Sequence, residues 1–364
     1  MATEGAPEGA PEGAPEGAPE LVPVLPNHRF DEAALAAYLR EHLRGFSGDL
    51  VVRQFQGGQS NPTFHLAAGG REFVLRKKPP GKLLPSAHAV DREYAVLAAL
   101  AGSDVPVPRV HLLCMDEAVI GQMFYVMDYV AGRVFADRAI PGATPAERAA
   151  MYDDMNRILA RLHLVDWRGV GLGGFGRPEN YFARQIARWS KQYEASRTED
   201  VPAMERLMRW LAETPPPEDE AVIVHGDFRL GNLLFHPTEP RVLAVLDWEL
   251  STIGHPLADL AYNVLTYRLP ESAGGAREAD LVALGIPAEA DYVARYVERV
   301  GRADAATLEY AIVFAMFRLA AIVAGVYRRA LDGNAADARA LERGVVFREV
   351  AERAWAYAQA LGAR

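Results

Sequence analysis

The chain has a single cysteine, Cys114, among 364 residues. That excludes an internal disulfide framework and a zinc site built from thiolates. It also has no excess of cations: 39 Lys and Arg against 48 Asp and Glu leave a formal charge of −9. A general nucleic-acid partner is therefore not expected, because such binding needs many cations to neutralise phosphates. The first residues carry neither a basic stretch nor an apolar one, so no secretory signal is expected. The longest apolar run, 311–326, is interrupted by Arg318. It is shorter than the about 20 residues that cross a bilayer. It reads as a buried helix, in a cytoplasmic protein with no membrane partner.

What is present is a chain that is 50% apolar, with ordinary aromatic content and enough length for one large or two linked domains. Residues 4–20 repeat Glu-Gly-Ala-Pro. Proline and glycine at that spacing prevent a helix and leave no large apolar side chain for a core, so 1–27 is expected to be a disordered acidic tail. Asp31 is a helix N-cap candidate for 32–43, with Leu35, Leu39 and Leu43 on one face. Strands are expected at 50–55, 63–66, 72–76 and 124–129, and a helix at 88–100. Beyond Gly132 the pattern turns helical. Thr144 and Glu147 form a capping box ahead of the apolar stripe Met151, Met155, Ile158, Leu159 and Leu162. Further helices are expected at 181–196, 203–213 and 308–331, the last stopped by Gly333. A small β-rich lobe, 28–130, followed by a larger helical lobe, 131–364, is an α+β architecture.

The most informative stretch is the apolar segment Val222-Ile223-Val224, then His225-Gly226-Asp227-Phe228-Arg229-Leu230-Gly231-Asn232, then Val245-Leu246-Asp247-Trp248-Glu249. Protein kinases carry a base and two magnesium ligands in that order, as H-R-D-x-x-x-x-N followed by D-F-G. By that spacing Asp227 is the candidate base, and Asn232 and Asp247 are the candidate metal ligands. A carboxylate and an amide oxygen at strand ends make a hard oxygen site suited to Mg²⁺ holding phosphates. His225 is expected to order the loop through hydrogen bonds rather than to move a proton. Arg229, beside the base, joins the catalytic candidates.

Phosphoryl transfer from ATP also needs cover for the phosphates and a cation on them. Gly57, Gly58, Ser60 and Asn61 lie between two expected strands, where glycines allow close backbone approach and short polar side chains add donors. An ordinary hairpin turn would look the same. Phe73-Val74-Leu75-Arg76 offers a cation at a strand end, with Arg76 the first candidate for the phosphates and Lys78 behind it. Glu93, on the following helix, could orient Arg76 by an ion pair, or be a solvated helix glutamate. Asp128 and Val130 sit in the expected connector, where backbone groups could meet an adenine edge. Asp259 enters an apolar helix; it could hold the catalytic loop's backbone or simply favour the helix dipole.

His-Gly-Asp-Phe-Arg-Leu-Gly-Asn, Leu-Asp-Trp-Glu and Gly-His-Pro-Leu-Ala-Asp-Leu-Ala resemble the aminoglycoside phosphotransferase family, a kinase-like fold. The similarity runs from about Gly45 to the C-terminus. FVLRKKPPGKLLPS and FRLAAIVAGVYRRALDGN are closer to one branch, the phosphotransferase domain found with acyl-CoA dehydrogenases. The resemblance implies an ATP- and Mg²⁺-dependent small-molecule kinase with Asp227 as base and Asn232 and Asp247 as metal ligands. For the branch it implies 4-hydroxyacyl-CoA as acceptor.

One feature bears on the acceptor independently. Arg184, Arg188 and Lys191 share a helix face, Arg177 and Arg197 flank that helix, and Arg318 needs a partner if buried. Cations in the helical half favour an anionic acceptor over a polycationic one, although a solvated stripe would look the same. An antibiotic kinase and a non-catalytic nucleotide-binding module are the alternatives. Arg76, standing where kinases carry lysine, is the argument for the second.

Overall fold

Alternating apolar residues build one antiparallel sheet in the first part of the chain. In the computed structural model, residues 17, 19–56, 61–79, 89–216, 220–301, 304–333, 341 and 344–364 are described. They fall into two compact units, Met1–Ile140 with Leu230–Leu250, and Pro141–Arg229 with Ser251–Arg364. The division falls ten residues beyond the expected boundary at 130 (140 − 130), and it groups Leu230–Leu250 with the strand-rich unit.

In the first unit β1 (Leu21–Val22), α1 (Glu32–His42), β2 (Val51–Phe55), β3 (Thr63–Ala68), β4 (Arg71–Lys77), α2 (Val90–Leu100), β5 (Val110–Cys114) and β6 (Phe124–Asp128) follow in order. The sheet order is β1-β2-β3-β4-β6-β5. The expected helices and strands are present with small shifts of boundary. Two of these strands were not anticipated: β5, and β1, which lies inside the stretch expected to be a tail and pairs Leu21 with Phe55 and Val22 with Gln54. Period two puts Phe64, Leu66, Phe73, Leu75, Phe124 and Val126 on one side, where Leu35 and Leu39 of α1 cover them. Each such side chain contributes about 1.5–3 kcal/mol by leaving water. The Asp31 carboxylate accepts from Ala34 N at 2.9 Å and starts α1 as expected.

The second unit opens with α3 (Pro145–Leu164), α4 (Tyr181–Ser196) and α5 (Pro202–Glu213), then β7 (Val222–Val224). The chain returns to the first unit for β8 (Leu233–Phe235) and β9 (Val242–Val245), a hairpin of their own. It then gives the second unit β10 (Thr252–Gly254), α6 (Pro256–Asn263), α7 (Glu278–Ala283), α8 (Glu289–Val300), α9 (Ala305–Leu331) and α10 (Phe347–Ala360). The two strands flanking the loop 225–232 therefore belong to different ladders: β7 pairs with β10, and β8 with β9. The 27-residue α9 is long and apolar enough to cross a membrane by length and composition, yet 72% of its most apolar stretch is buried in the protein. It is apolar nearly all round because α4, α5, α6 and α10 pack on it.

The capping box is formed as expected: Glu147 N donates to Thr144 Oγ1 at 3.3 Å, and Thr144 N donates to Glu147 Oε2 at 2.7 Å. The buried stripe of α3 follows from it. Thr144→Ala is expected to lower stability by about 1 kcal/mol, read as a lower denaturant midpoint for the helical unit; an unchanged midpoint would show that the cap contributes nothing.

Candidate active site

β7 is buried along its length and delivers the chain into His225. Gly226 then takes a left-handed φ of 84°, a conformation that side chains disfavour. Turning there leaves backbone groups inside the protein, and side chains from α6 and α9 satisfy them. The Asp259 carboxylate, fully buried in the first turn of α6, accepts from His225 N at 2.6 Å and Gly226 N at 2.8 Å. Arg318 of α9 donates Nη2 to Gly226 O at 2.7 Å. Asn263 donates Nδ2 to Phe228 O at 3.2 Å. Of the two readings of Asp259, the loop-holding one is what the hydrogen bonds show.

Asp259 is backed by His163, whose Nε2 lies 3.5 Å from Oδ2 and whose Nδ1 lies 2.6 Å from the Tyr296 hydroxyl. Burial alone would raise the Asp259 pKa. The hydrogen bond and charge of His163, the charge of His225 and the Gly226 amide outweigh it, and the pKa is lowered. His225 orders the loop as expected, its Nδ1 accepting from Asp227 N at 3.2 Å.

The Asp227 carboxylate emerges one residue past this anchored turn, with 20% of its side chain exposed. Arg229 Nε lies 3.2 Å from its Oδ2, and Arg229 itself is half exposed. The Tyr262 hydroxyl also hydrogen-bonds Asp227. Burial first, then the Asp227 charge and that hydrogen bond, push the phenol pKa well above its ordinary value, so Tyr262 remains a donor. Tyr262 and Asn263 were missed in the sequence. Their signal was spacing, since both fall three and four positions after Asp259 and so share its side of α6.

The first unit assembles a second cluster around Glu93, which is 1% exposed. Its Oε1 accepts from Asn61 Nδ2 at 2.5 Å, and its Oε2 from the Tyr125 hydroxyl at 3.0 Å. Arg76 Nε lies 3.0 Å from Glu93 Oε2, while Arg76 Nη2 lies 3.0 Å from Asp247 Oδ1. Burial works against the Arg76 charge, but Glu93, Tyr125 and Asp247 together hold its pKa above the ordinary value. The orienting ion pair expected of Glu93 is thus formed. Tyr125, which the sequence did not single out, pairs with Arg76 in the β4–β6 register.

Asn232 and Asp247 flank the same end of the β8–β9 hairpin, where Leu246 N donates to Asn232 O at 2.8 Å. Asp247 takes a left-handed φ of 65°, rare for a side-chain-bearing residue outside strained or functional positions. Lys78 does not join the cluster; its Nζ lies 3.4 Å from Met123 Sδ. Asp128 is held by His111 Nε2 at 2.6 Å, and Val130 is partly buried. Gly57, Gly58 and Ser60 lie outside the described residues. Of the basic stripe on α4, Arg188 and Lys191 are exposed and Arg184 is half-buried.

An antiparallel-sheet unit carrying an Arg–Glu pair, and a helical unit carrying a His-x-Asp loop, define a protein-kinase-like fold. The sequence model of the phosphotransferase enzyme family matches residues 51–294, and the chain belongs to that family. It is 44% identical over 346 residues to mouse acyl-CoA dehydrogenase family member 10, covering 94% of this chain and 32% of that protein. Across such relatives the chain spans between 32% and 43% of their length. A crystal structure of a Ralstonia eutropha JMP134 protein assigned as an aminoglycoside phosphotransferase is 50% identical, with a TM-score of 0.83 over 91% of this chain and 99% of that one. A thermostable variant of aminoglycoside phosphotransferase APH(4)-Ia, solved with AMP-PNP and hygromycin B, shares the fold at 18% identity, with a TM-score of 0.58 over 89% of this chain and 98% of that one.

Asp259→Ala would leave two buried backbone N–H groups unpaired, and is expected to destabilise the protein by roughly 3 kcal/mol. Because the folded pKa of Asp259 is lowered, its contribution is present above the unfolded value of about 3.9 and is lost as pH falls through the folded one. The acid limb of the stability–pH profile should therefore flatten in Asp259→Asn, measured by denaturant unfolding from pH 6 downward; an unchanged limb would contradict the assignment.

Proposed function

We propose that the chain is an ATP- and Mg²⁺-dependent kinase that phosphorylates a hydroxyl of a small anionic metabolite, with a hydroxyacyl-CoA as the acceptor class. The observation that carries this reading is the Asp227 carboxylate, presented on a turn whose backbone is tied to Asp259 and Arg318. A phosphoryl-transfer catalyst has little covalent chemistry to do and acts by positioning and charge. A carboxylate on a fixed loop suits the base, and Arg76, kept charged by Glu93 and Asp247, suits the phosphates.

In the reaction the acceptor hydroxyl gives its proton to Asp227 as its oxygen bonds to the γ-phosphorus. The bond from that phosphorus to the bridging oxygen breaks, and ADP leaves with the electron pair. Tyr262 donates to Asp227 and orients the carboxylate, and Arg229 adds a cation beside it. Asn61, Arg76 and the backbone beyond Asp128 are assigned to the nucleotide, with Gly57, Gly58 and Ser60 as its cover. Asn232 and Asp247 would hold magnesium: both offer hard oxygens, and Asp247 keeps 33% of its side chain exposed. When bound, magnesium neutralises phosphate charge.

ATP as donor is supported by the AMP-PNP complex of APH(4)-Ia. The acyl-CoA acceptor is supported by the similarity to acyl-CoA dehydrogenase family members 10 and 11. The cations Arg184, Arg188 and Arg318 of the helical unit agree with an anion.

Asp227→Asn is expected to lower kcat about 10³-fold, with nucleotide affinity measured by calorimetry close to wild type; turnover near the wild-type rate would sink the assignment of the base. Glu93→Gln is expected to raise the ATP KM about tenfold through loss of the charge that orients Arg76, with a much smaller effect on the acceptor KM. An equal rise in both constants would remove Glu93 from nucleotide binding.

A further inference from the structure

Three buried N–H donors of the helical unit find no acceptor among the described residues: Trp189 Nε1, Arg318 Nε and Arg184 Nη1. Trp189 and Arg318 are 6% and 8% exposed. Native proteins bury few donors unpaired, and each that they do bury calls for an explanation. These donors are not scattered. The Arg318 guanidinium carbon lies 5.3 Å from the Trp189 ring centroid and 5.6 Å from that of Tyr262. The Arg188 guanidinium carbon lies 5.6 Å from the same Trp189 ring. Tyr262 hydrogen-bonds Asp227, and Arg318 Nη2 reaches the carbonyl of Gly226, the residue before it.

Arg184 stands four residues before Arg188 on α4 and so on the same side of that helix, with Tyr181 one turn earlier still. Burial raises the Tyr181 pKa to about 12, and the cations of Arg318, Arg184 and Arg188 all act to lower it. One Arg184 nitrogen is used, Nη2 donating to Arg177 O at 2.6 Å, while Nη1 is not. The cluster thus offers donors and positive charge next to the carboxylate assigned as base. Asp259, the carboxylate that also acts on Tyr181, is already engaged by His163 and two backbone amides.

We infer that Trp189 Nε1 and Arg318 Nε, with Arg184 Nη1, form a subsite for an acceptor-only oxygen of the substrate, a carboxylate or an acyl carbonyl. This rests on the kinase reading above and specifies the acceptor further. The donors favour an oxygen that carries no proton over a hydroxyl, whose own hydrogen takes up one of the directions along which N–H groups could approach. They also select against polycations, which the three arginines repel. Arg318 then couples the two tasks: Nη2 of its guanidinium fixes the Gly226 carbonyl, and Nε reads the substrate. It is a positioning and specificity residue rather than a catalytic one.

The test uses the full chain and reads binding apart from turnover. The protein has five tryptophans, so its ¹⁵N–¹H spectrum contains five indole signals, and Trp189→Phe assigns the relevant one by deleting it. Titration with 4-hydroxypentanoate, with 4-hydroxypentanoyl-CoA and with pentane-1,4-diol is expected to move the Trp189 indole proton downfield for the first two and not for the diol. A shift with the thioester alone identifies an acyl carbonyl; a shift with both admits the free acid. No shift with either, or an equal shift with the diol, overturns the subsite and leaves the three donors a structural feature. In a kinetic arm, Trp189→Phe should raise the KM of the phosphorylated acceptor about tenfold through loss of one buried hydrogen bond, with the ATP KM as internal reference. A shift without phosphate transfer would count against the kinase reading and retain the subsite. Transfer without a shift would do the reverse.

Discussion

A single buried carboxylate organises the loop that carries Asp227. Asp259 cannot be solvated where it sits, and the amides of His225 and Gly226 cannot be paired within a strand because the chain is turning at Gly226. Each need answers the other, and a carboxylate accepting from backbone N–H groups makes charge-assisted hydrogen bonds, the stronger kind. The consequence is positional: the residue that follows, Asp227, projects from a backbone with little freedom. His163 and Tyr296 support Asp259, and Arg318 holds the next peptide, 226–227, through the Gly226 carbonyl.

Charge is distributed differently in the strand-rich unit. There the centre is Glu93, which is almost fully buried and accepts from Asn61 and Tyr125 while facing Arg76. Arg76 in turn spans Glu93 and Asp247, so a cation is kept charged and aimed by two carboxylates of unequal exposure, 1% and 33%. Arginine suits this better than lysine, because its planar fork can address both partners at once. Its presence where kinases carry lysine therefore fits retained function as readily as lost function.

Much of this was legible in the sequence, for identifiable reasons. Polar residues at fixed turn spacing after an apolar strand exposed the His225–Asn232 loop, and capping chemistry exposed the starts of α1 and α3. The Arg76–Glu93 pair was available because strand and helix follow one another in the chain. Asp259 kept two readings because a carboxylate in the first turn of a helix suits the dipole and a distant backbone donor equally. The partner of Arg318 lies 92 residues away and is set by how α9 packs, which no local pattern encodes. The same holds for the unpaired donors of α4. The short strands β1 and β10, of two and three residues, are too brief to show a period, and β1 directly follows a repeat that argues for disorder.

The central claim is that the γ-phosphoryl group of ATP passes to a hydroxyl of a small anionic acceptor. The most direct measurement is ³¹P NMR of the protein with Mg-ATP and a hydroxyacyl-CoA, followed in time. The account predicts a phosphomonoester resonance that grows one for one with ADP. Release of the γ-phosphate only as inorganic phosphate, or no consumption of ATP with any hydroxylated acceptor, would contradict it.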